Sequence, residues 1–480
     1  IDAIQVHGAH CYLMANFMSS ITNKRCDEYG GGIEGRLRFS LEVVRAIRKR
    51  VGNEVPLLFR IAAEEMTPGG RSLEETKVMC RLLVDAGIDA IEVSRGSLAV
   101  LRWVVPPMGT PLALNVQYAS EIKDAVDVPI LTVGRISEPM VAEQILETKK
   151  ADLVVMARAL LVDPDWPKKA FLGRYEDIVP CIACNQCLFI VMGGAPLNCT
   201  MNPAVGREDE FEIAPTTRSK KVVIVGGGPA GLEAARIASL RGHRVVLYEM
   251  KEKLGGQLNI ASVPPTKQEL TKAIRYLSIQ AEKSGVQLEI GKHVTTDIID
   301  RIKPDVVIVA TGAGPVIPDI PGVNNPKVIT VQDVLSSEVA VGQKILVVGG
   351  GMAGAETADY LTDLSADITL LEMTEAIASD MVMWQREFLL ERLSARGVKM
   401  ITSAVVRQFL DDGVVFTKDG KEARIVGCDN IILAMGNQAV NGLYQDLKEH
   451  VTELYIIGDA SSPRNALDAI REGAECGRNI

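Results

Sequence analysis

Two stretches of this chain repeat one another. KKVVIVGGGPAGLEAARIASLRGHRVVLYEM spans 220–250 and QKILVVGGGMAGAETADYLTDLSADITLLEM spans 343–373. Each reads as an apolar strand, a glycine turn, a helix and a second strand. The glycines keep G-x-G-x-x-G spacing: Gly226, Gly228 and Gly231, then Gly349, Gly351 and Gly354. The first permits a tight turn, the second lets backbone approach a pyrophosphate, and the third lets helix pack on strand. Phosphates then meet a helix N-terminus, where free N–H groups and the dipole favour anions. An acid closes each copy, Glu249 and Glu372, where a ribose-binding carboxylate belongs. Two Rossmann-like dinucleotide folds are therefore expected.

Composition narrows the rest. At 480 residues, several domains with their own cores are expected. A net charge of −9 without a basic patch argues against nucleic acid as partner. No apolar run approaches the roughly 18 residues of a membrane span, so no membrane partner is expected. Nine cysteines, an odd and clustered set, suit a metal site better than a disulfide framework. A reducing cytoplasm is the expected location.

The first 170 residues alternate strand-like runs (IDAIQVHG, VPLLFRI, IDAIEVSRG, VPILTVGRI, ADLVVMARAL) with helical patterns. Buried β-branched strands separated by helices indicate an α/β unit with a parallel sheet. Polar and glycine residues gather just after each strand, where a (β/α)₈ TIM barrel carries its chemistry. Five strands fall short of eight, so the expectation is the C-terminal part of a barrel whose N-terminal strands are missing.

Four cysteines stand in CIACNQCLFIVMGGAPLNC. Cys181, Cys184 and Cys187 are spaced C-x-x-C-x-x-C, and Cys199 follows after eleven residues. The run is similar to the tight spacing of iron–sulfur ligands. A Zn(Cys)₄ site would normally present two separated knuckles. A [4Fe–4S] cluster is the favoured reading, with zinc as the alternative.

Downstream of the first repeat come GGQL (255–258), VVIVATGA (306–313) and LYIIGDA (454–460). Together these resemble the flavin-dependent pyridine-nucleotide disulfide reductase superfamily. The resemblance implies FAD on the first repeat, with Gly256, Gln257 and Asp459 among its contacts. It implies a nicotinamide nucleotide on the second, with Glu372 at the adenosine ribose. A carboxylate there repels a 2′-phosphate, which favours NADH over NADPH. The domains expected are 1–172 (barrel), 173–215 (iron–sulfur segment), 216–335 with 445–480 (FAD) and 336–444 (NAD).

The stretch VHGAHCYLMANFMSSITNKRCDEYGGGIEGRLRF, residues 6–39, resembles the signature after the fourth barrel strand of the old yellow enzyme family. With the cysteines and both repeats, the whole chain is similar to the multidomain branch, which includes 2,4-dienoyl-CoA reductase, 2-enoate reductases, trimethylamine dehydrogenase and bile-acid-inducible flavin oxidoreductases. The resemblance implies FMN at the barrel mouth, His7 and His10 on a substrate carbonyl, and Tyr12 as proton donor. Arg60 is implied near flavin N1, although it could instead bridge an acid such as Glu64. Gln5 is implied at the flavin ring. Gly134, Arg135, Ala157 and Arg158 match the FMN phosphate cradle. Cys11 and Ala157 replace usual glycines. The loop VSRGSLAVLRWVVPPMGTPLALN lacks the histidine of dienoyl-CoA reductases, and its apolar Trp103, Val104 and Val105 suit a flat hydrophobic substrate.

The activity implied is an NADH-dependent ene-reductase acting on a small unsaturated carbonyl compound, with electrons passing from NADH through FAD and the cluster to FMN. The alternatives are an amine dehydrogenase, a dienoyl-CoA reductase, or an electron-transfer module serving a partner protein. A homo-oligomer is compatible with all of them.

Overall fold

The computed structural model describes residues 1–364 and 367–480. It divides into two units, Ile1–Tyr175 and Glu176–Ile480. Both are α/β, as the alternating sequence requires.

In the first unit, strands β1 (Ile4–Gly8), β2 (Leu57–Ala62), β3 (Ala90–Ser94), β4 (Ile130–Val133) and β5 (Leu153–Val155) pair in chain order, all parallel. Alternation sorts their side chains between two faces. Leu57, Phe59, Ile61, Ile91, Val93 and Ile130 are fully buried against Leu37 and Val44 of helix Ile33–Val51 and Met79 and Leu83 of helix Leu73–Asp85. The other face carries a polar row in register: His7 beside Arg60, and Arg60 beside Glu92. Helix Leu73–Asp85 opens on a Ser72/Glu75 capping box and is followed by Gly87 at φ +110°.

In the second unit, β6 (Lys221–Val225), β7 (Arg244–Glu249), β8 (Gln287–Ile290) and β9 (Val306–Val309) join the strand Glu453–Ile456 in one parallel sheet, with β6 between β7 and β9. A second parallel sheet is built likewise, with Lys344–Val348 between Asp367–Leu371 and Asn430–Leu433. An antiparallel meander (404–410, 413–418, 421–425) packs on it through Val406, Phe409 and Phe416. Among the described residues no helix is long and apolar enough to cross a membrane.

The glycine spacing finds its reason in contact. Gly226 has φ +116°, and a Cβ there would collide with the Ala310 carbonyl; Gly349 has φ +107° and faces Ala434 in the same way. A Cβ on Gly231 or Gly354 would strike the carbonyl of the first glycine of its own copy. Gly231→Ala should therefore destabilise the second unit by about 1–3 kcal/mol, an overpacking cost that has no flexible side chain to absorb it. Thermal unfolding checks this, and a melting temperature within a degree of the parent would contradict it.

Candidate active site

β1 ends at Gly8, and the chain turns sharply through His10 (φ +59°) and Cys11 (φ +57°) into helix Leu13–Met18. Two consecutive non-glycine residues in the left-handed region are strained. One of them, Cys11, stands where the signature carries glycine. The turn folds His10 and Tyr12 back over the strand end. The His7 ring centroid lies 5.4 Å from that of His10 and 5.0 Å from that of Tyr12. His10 Nε2 lies 2.8 Å from Ser94 Oγ at the end of β3. Tyr12 is 54% exposed.

Both imidazoles stay neutral at pH 7. Burial, then the Arg60 charge, holds His7 below its usual range; burial, Arg60 and His7 together push His10 down to about 3. Each neutral ring carries one N–H and one lone pair, which suits hydrogen bonding to a carbonyl oxygen without delivering a full positive charge.

Glu92 organises the row beneath. It is 2% exposed and accepts from Gln5 Nε2 at 2.6 Å, and its Oε1 pairs with Arg60 Nη1 at 3.4 Å. The acid beside Arg60 is thus Glu92 and not Glu64, whose carboxylate takes the Tyr118 hydroxyl at 3.0 Å. Glu92 and Ser94 were legible as alternate polar positions in the otherwise apolar strand AIEVS, yet neither stands in the family signature.

Arg135 Nη1 donates to the Pro107 carbonyl and Arg158 Nη1 to that of Pro106 at 3.0 Å, so both arginines tie down the loop after β3. Gly134, at φ +129°, leaves no room for a Cβ against the Asn115 amide, 2.6 Å away. Ala157 precedes the short helix Arg158–Val162.

In the second unit the two glycine turns have the same construction. Glu249 Oε2 accepts from Gly227 N at 2.8 Å and Oε1 from Lys251 N at 2.7 Å. Glu372 Oε2 accepts from Gly350 N at 2.6 Å and Oε1 from Thr374 N at 2.7 Å. Around the first turn, a Cβ on Gly256 would sit 3.0 Å from Gly228 Cα, and Gln257 Nε2 donates to the Ala313 carbonyl at 2.8 Å. Gly458 abuts Ala230 at the helix start, which brings the neighbouring Asp459 to the same turn. Burial raises the Asp459 carboxyl, while its Oδ1 accepts from Arg464 N at 3.0 Å. At the second turn, Gly351 begins helix Met352–Thr362, and Asp380 Oδ1 accepts the Met352 N–H at 2.8 Å, a contact the motif did not announce.

No disulfide joins any of the nine cysteines. Cys184 Sγ lies 3.3 Å from Thr200 Oγ1. Burial pushes Cys199 up to about 12, and the Cys184 and Cys181 thiols are close enough to add to that rise. Among the described residues no group of three or more His, Cys, Asp or Glu is gathered tightly enough to hold a metal ion.

Comparison with known proteins fits this geometry. Residues 1–177 match the NADH:flavin oxidoreductase / NADH oxidase family, and 220–473 match the pyridine nucleotide-disulphide oxidoreductase family. The chain is 40% identical to the NADH oxidase of Thermoanaerobacter brockii over 481 residues, covering 98% of this chain and 74% of that protein. The chain belongs to the multidomain branch of the old yellow enzyme family. It is accordingly a flavin- and nicotinamide-dependent oxidoreductase. It is 32% identical to the cinnamate reductase of Clostridium sporogenes, covering 100% of this chain and 74% of that protein. A solved 2-naphthoyl-CoA reductase superposes with a TM-score of 0.95 at 32% identity, covering 100% of this chain and 73% of that one.

Two predictions follow from the first unit's electrostatics. In the unfolded chain His10 titrates near 6.5, so between about 6.5 and 3 the unfolded state holds a proton that the folded state lacks. Folding should therefore lose up to about 2 kcal/mol between pH 7 and pH 5 through this group, and nothing above pH 7. His10→Gln should flatten that slope in denaturant unfolding measured across the range. Replacing Glu92 by Leu strands Arg60, whose side chain is 27% exposed. The expected cost is about 2–3 kcal/mol, below the range for a fully buried pair, read as a fall in unfolding midpoint; an unchanged midpoint would show that the pair is dispensable.

Proposed function

We propose that the chain carries the working parts of an NADH-dependent ene-reductase that saturates the C=C bond of a small unsaturated carbonyl compound. The observation that carries this reading is the gathering of His7, His10 and Tyr12 at one strand end, with both imidazoles neutral. FMN in the first unit, FAD and NADH in the second, and a [4Fe–4S] cluster would together supply hydride and a path for electrons. The five parallel strands are read as part of a (β/α)₈ barrel, with Gln5 and Arg60 at the flavin ring and Gly134, Arg135, Ala157 and Arg158 at its phosphate.

His7 and His10 would donate hydrogen bonds to the substrate carbonyl and hold the oxygen as negative charge grows on it. A neutral ring can do this through its one N–H. Ser94 would steady the His10 ring, and the Arg60 charge helps keep both rings neutral. Tyr12 would return a proton to the α-carbon. In the second unit Gly226, Gly228, Gly231, Glu249, Gly256, Gln257 and Asp459 would hold FAD. Gly349, Gly351, Gly354 and Glu372 would hold NADH in preference to NADPH. Cys181, Cys184, Cys187 and Cys199 would hold the cluster, supported by their spacing and by the proximity of Cys199 to Cys184 and Cys181. A cytoplasmic setting keeps such thiols reduced.

The test is anaerobic, on the full-length protein: bleach the flavins with NADH, then add a 3-oxo-Δ4 steroid, cinnamate or a dienoyl-CoA. One of them should restore the oxidised spectrum, and Tyr12→Phe should slow that step about 100-fold or more while bleaching stays intact. Reoxidation at the parent rate in the variant would remove Tyr12 from the mechanism. Failure of NADH to bleach would refute the assignment of the second repeat.

A further inference from the structure

Cys184 is held at its side chain and at its backbone. Its Sγ lies 3.3 Å from Thr200 Oγ1, and its carbonyl accepts from Gln385 Nε2 at 3.1 Å, across 201 residues of chain. Thr200 is 4% exposed, which keeps its hydroxyl away from bulk water.

The backbone at this point is strained. Ala183 has φ +50° and Asn185 φ +60°, so Cys184 stands between two buried non-glycine residues in the left-handed region. Such conformations cost free energy and persist where surrounding contacts over-determine them. Gln385 supplies one such contact. It lies in the first turn of helix Met383–Ala395, next to the fully buried Trp384. The neighbouring Arg386 Nε donates to the Ile377 carbonyl at 2.6 Å. The amide that meets Cys184 is therefore mounted on a fixed segment of the second repeat's fold, the segment that also carries Asp380.

The arrangement suits a cluster better than a single ion. A lone metal draws its thiolates round one atom, and no three such groups are gathered that way among the described residues. A cubane gives each thiolate an iron of its own, so each ligand must be aimed separately. A metal-bound thiolate has no proton to donate, which leaves the Thr200 hydroxyl as donor and Cys184 Sγ as acceptor. Hydrogen bonds to the sulfurs stabilise the reduced cluster, whose sulfurs carry more negative charge, and so raise its potential.

We propose that Thr200 and Gln385 are positioning residues of the cluster site: Thr200 sets the reduction potential through Cys184 Sγ, and Gln385 holds the Cys184 turn in its liganding shape. This rests on the cluster reading of the four cysteines and adds to it how one of them is tuned.

The experiment uses anaerobic full-length holoenzyme and follows the electron paramagnetic resonance of the reduced cluster across a series of applied potentials. Thr200→Val keeps the shape and removes the hydroxyl. It should lower the ratio of reduced to oxidised cluster about tenfold at the parent's midpoint, a shift of about 59 mV for one electron. Thr200→Ser, which restores a hydroxyl, should stay within about twofold of the parent. Gln385→Met, of similar length but without the donor, should release iron to a chelator about 10-fold faster. Equal shifts in Thr200→Val and Thr200→Ser would make packing the cause and overturn the proposal. An unmoved ratio in Thr200→Val, or iron release at the parent rate from Gln385→Met, would overturn it too. A parent without the cluster resonance would sink the cluster reading as well, whereas a parent resonance indifferent to both substitutions would sink this inference alone.

Discussion

Two carbonyl groups set the geometry of the larger unit. The Ala310 and Ala434 carbonyls occupy the space that a side chain on Gly226 or Gly349 would need. With no Cβ in the way, strand, turn and helix close tightly enough for the helix N-terminus to face outward as an anion seat. Each closing acid then binds the amide of the middle glycine, Gly227 or Gly350, and fixes the turn before any ligand arrives. The sheets and helices around each turn are ordinary apolar packing that serves to hold this contact.

The smaller unit is organised by charge. Glu92 is the only carboxylate of its strand, and it secures Gln5 on one side and Arg60 on the other. The Arg60 charge in turn helps keep both histidines neutral. A single buried acid thereby ties together three strands of the sheet, which a view of the signature residues alone would miss.

Much of this was legible in the sequence, for reasons that differ by residue. The glycine turns were readable because their requirement is local: only glycine tolerates φ near +110° against a carbonyl. The strands of the first unit were readable as apolar, β-branched runs set between helical patterns. His7, His10 and Tyr12 came from resemblance, since no local rule brings the His10 and Tyr12 rings to 5.4 and 5.0 Å from that of His7. Glu92, Ser94 and Asp380 were not singled out, because what each does depends on partners brought near by folding: Gln5 is 87 residues from Glu92 and His10 is 84 from Ser94. The same holds for the acid beside Arg60, for which Glu64 was one alternative. Glu64 is near in sequence, whereas Glu92 is next to it across the sheet.

The two glycine turns differ at one position. Where the first copy has Pro229, which possesses no N–H, the second has Met352, whose N–H is held by Asp380. Asp380 thus pins the first amide of the second helix to a side chain 28 residues further along, so that the helix start and the loop carrying Asp380 are held as one piece. The first copy, with proline in that place, has no N–H there to tether. Two turns of one construction are therefore braced differently at the point where strand gives way to helix.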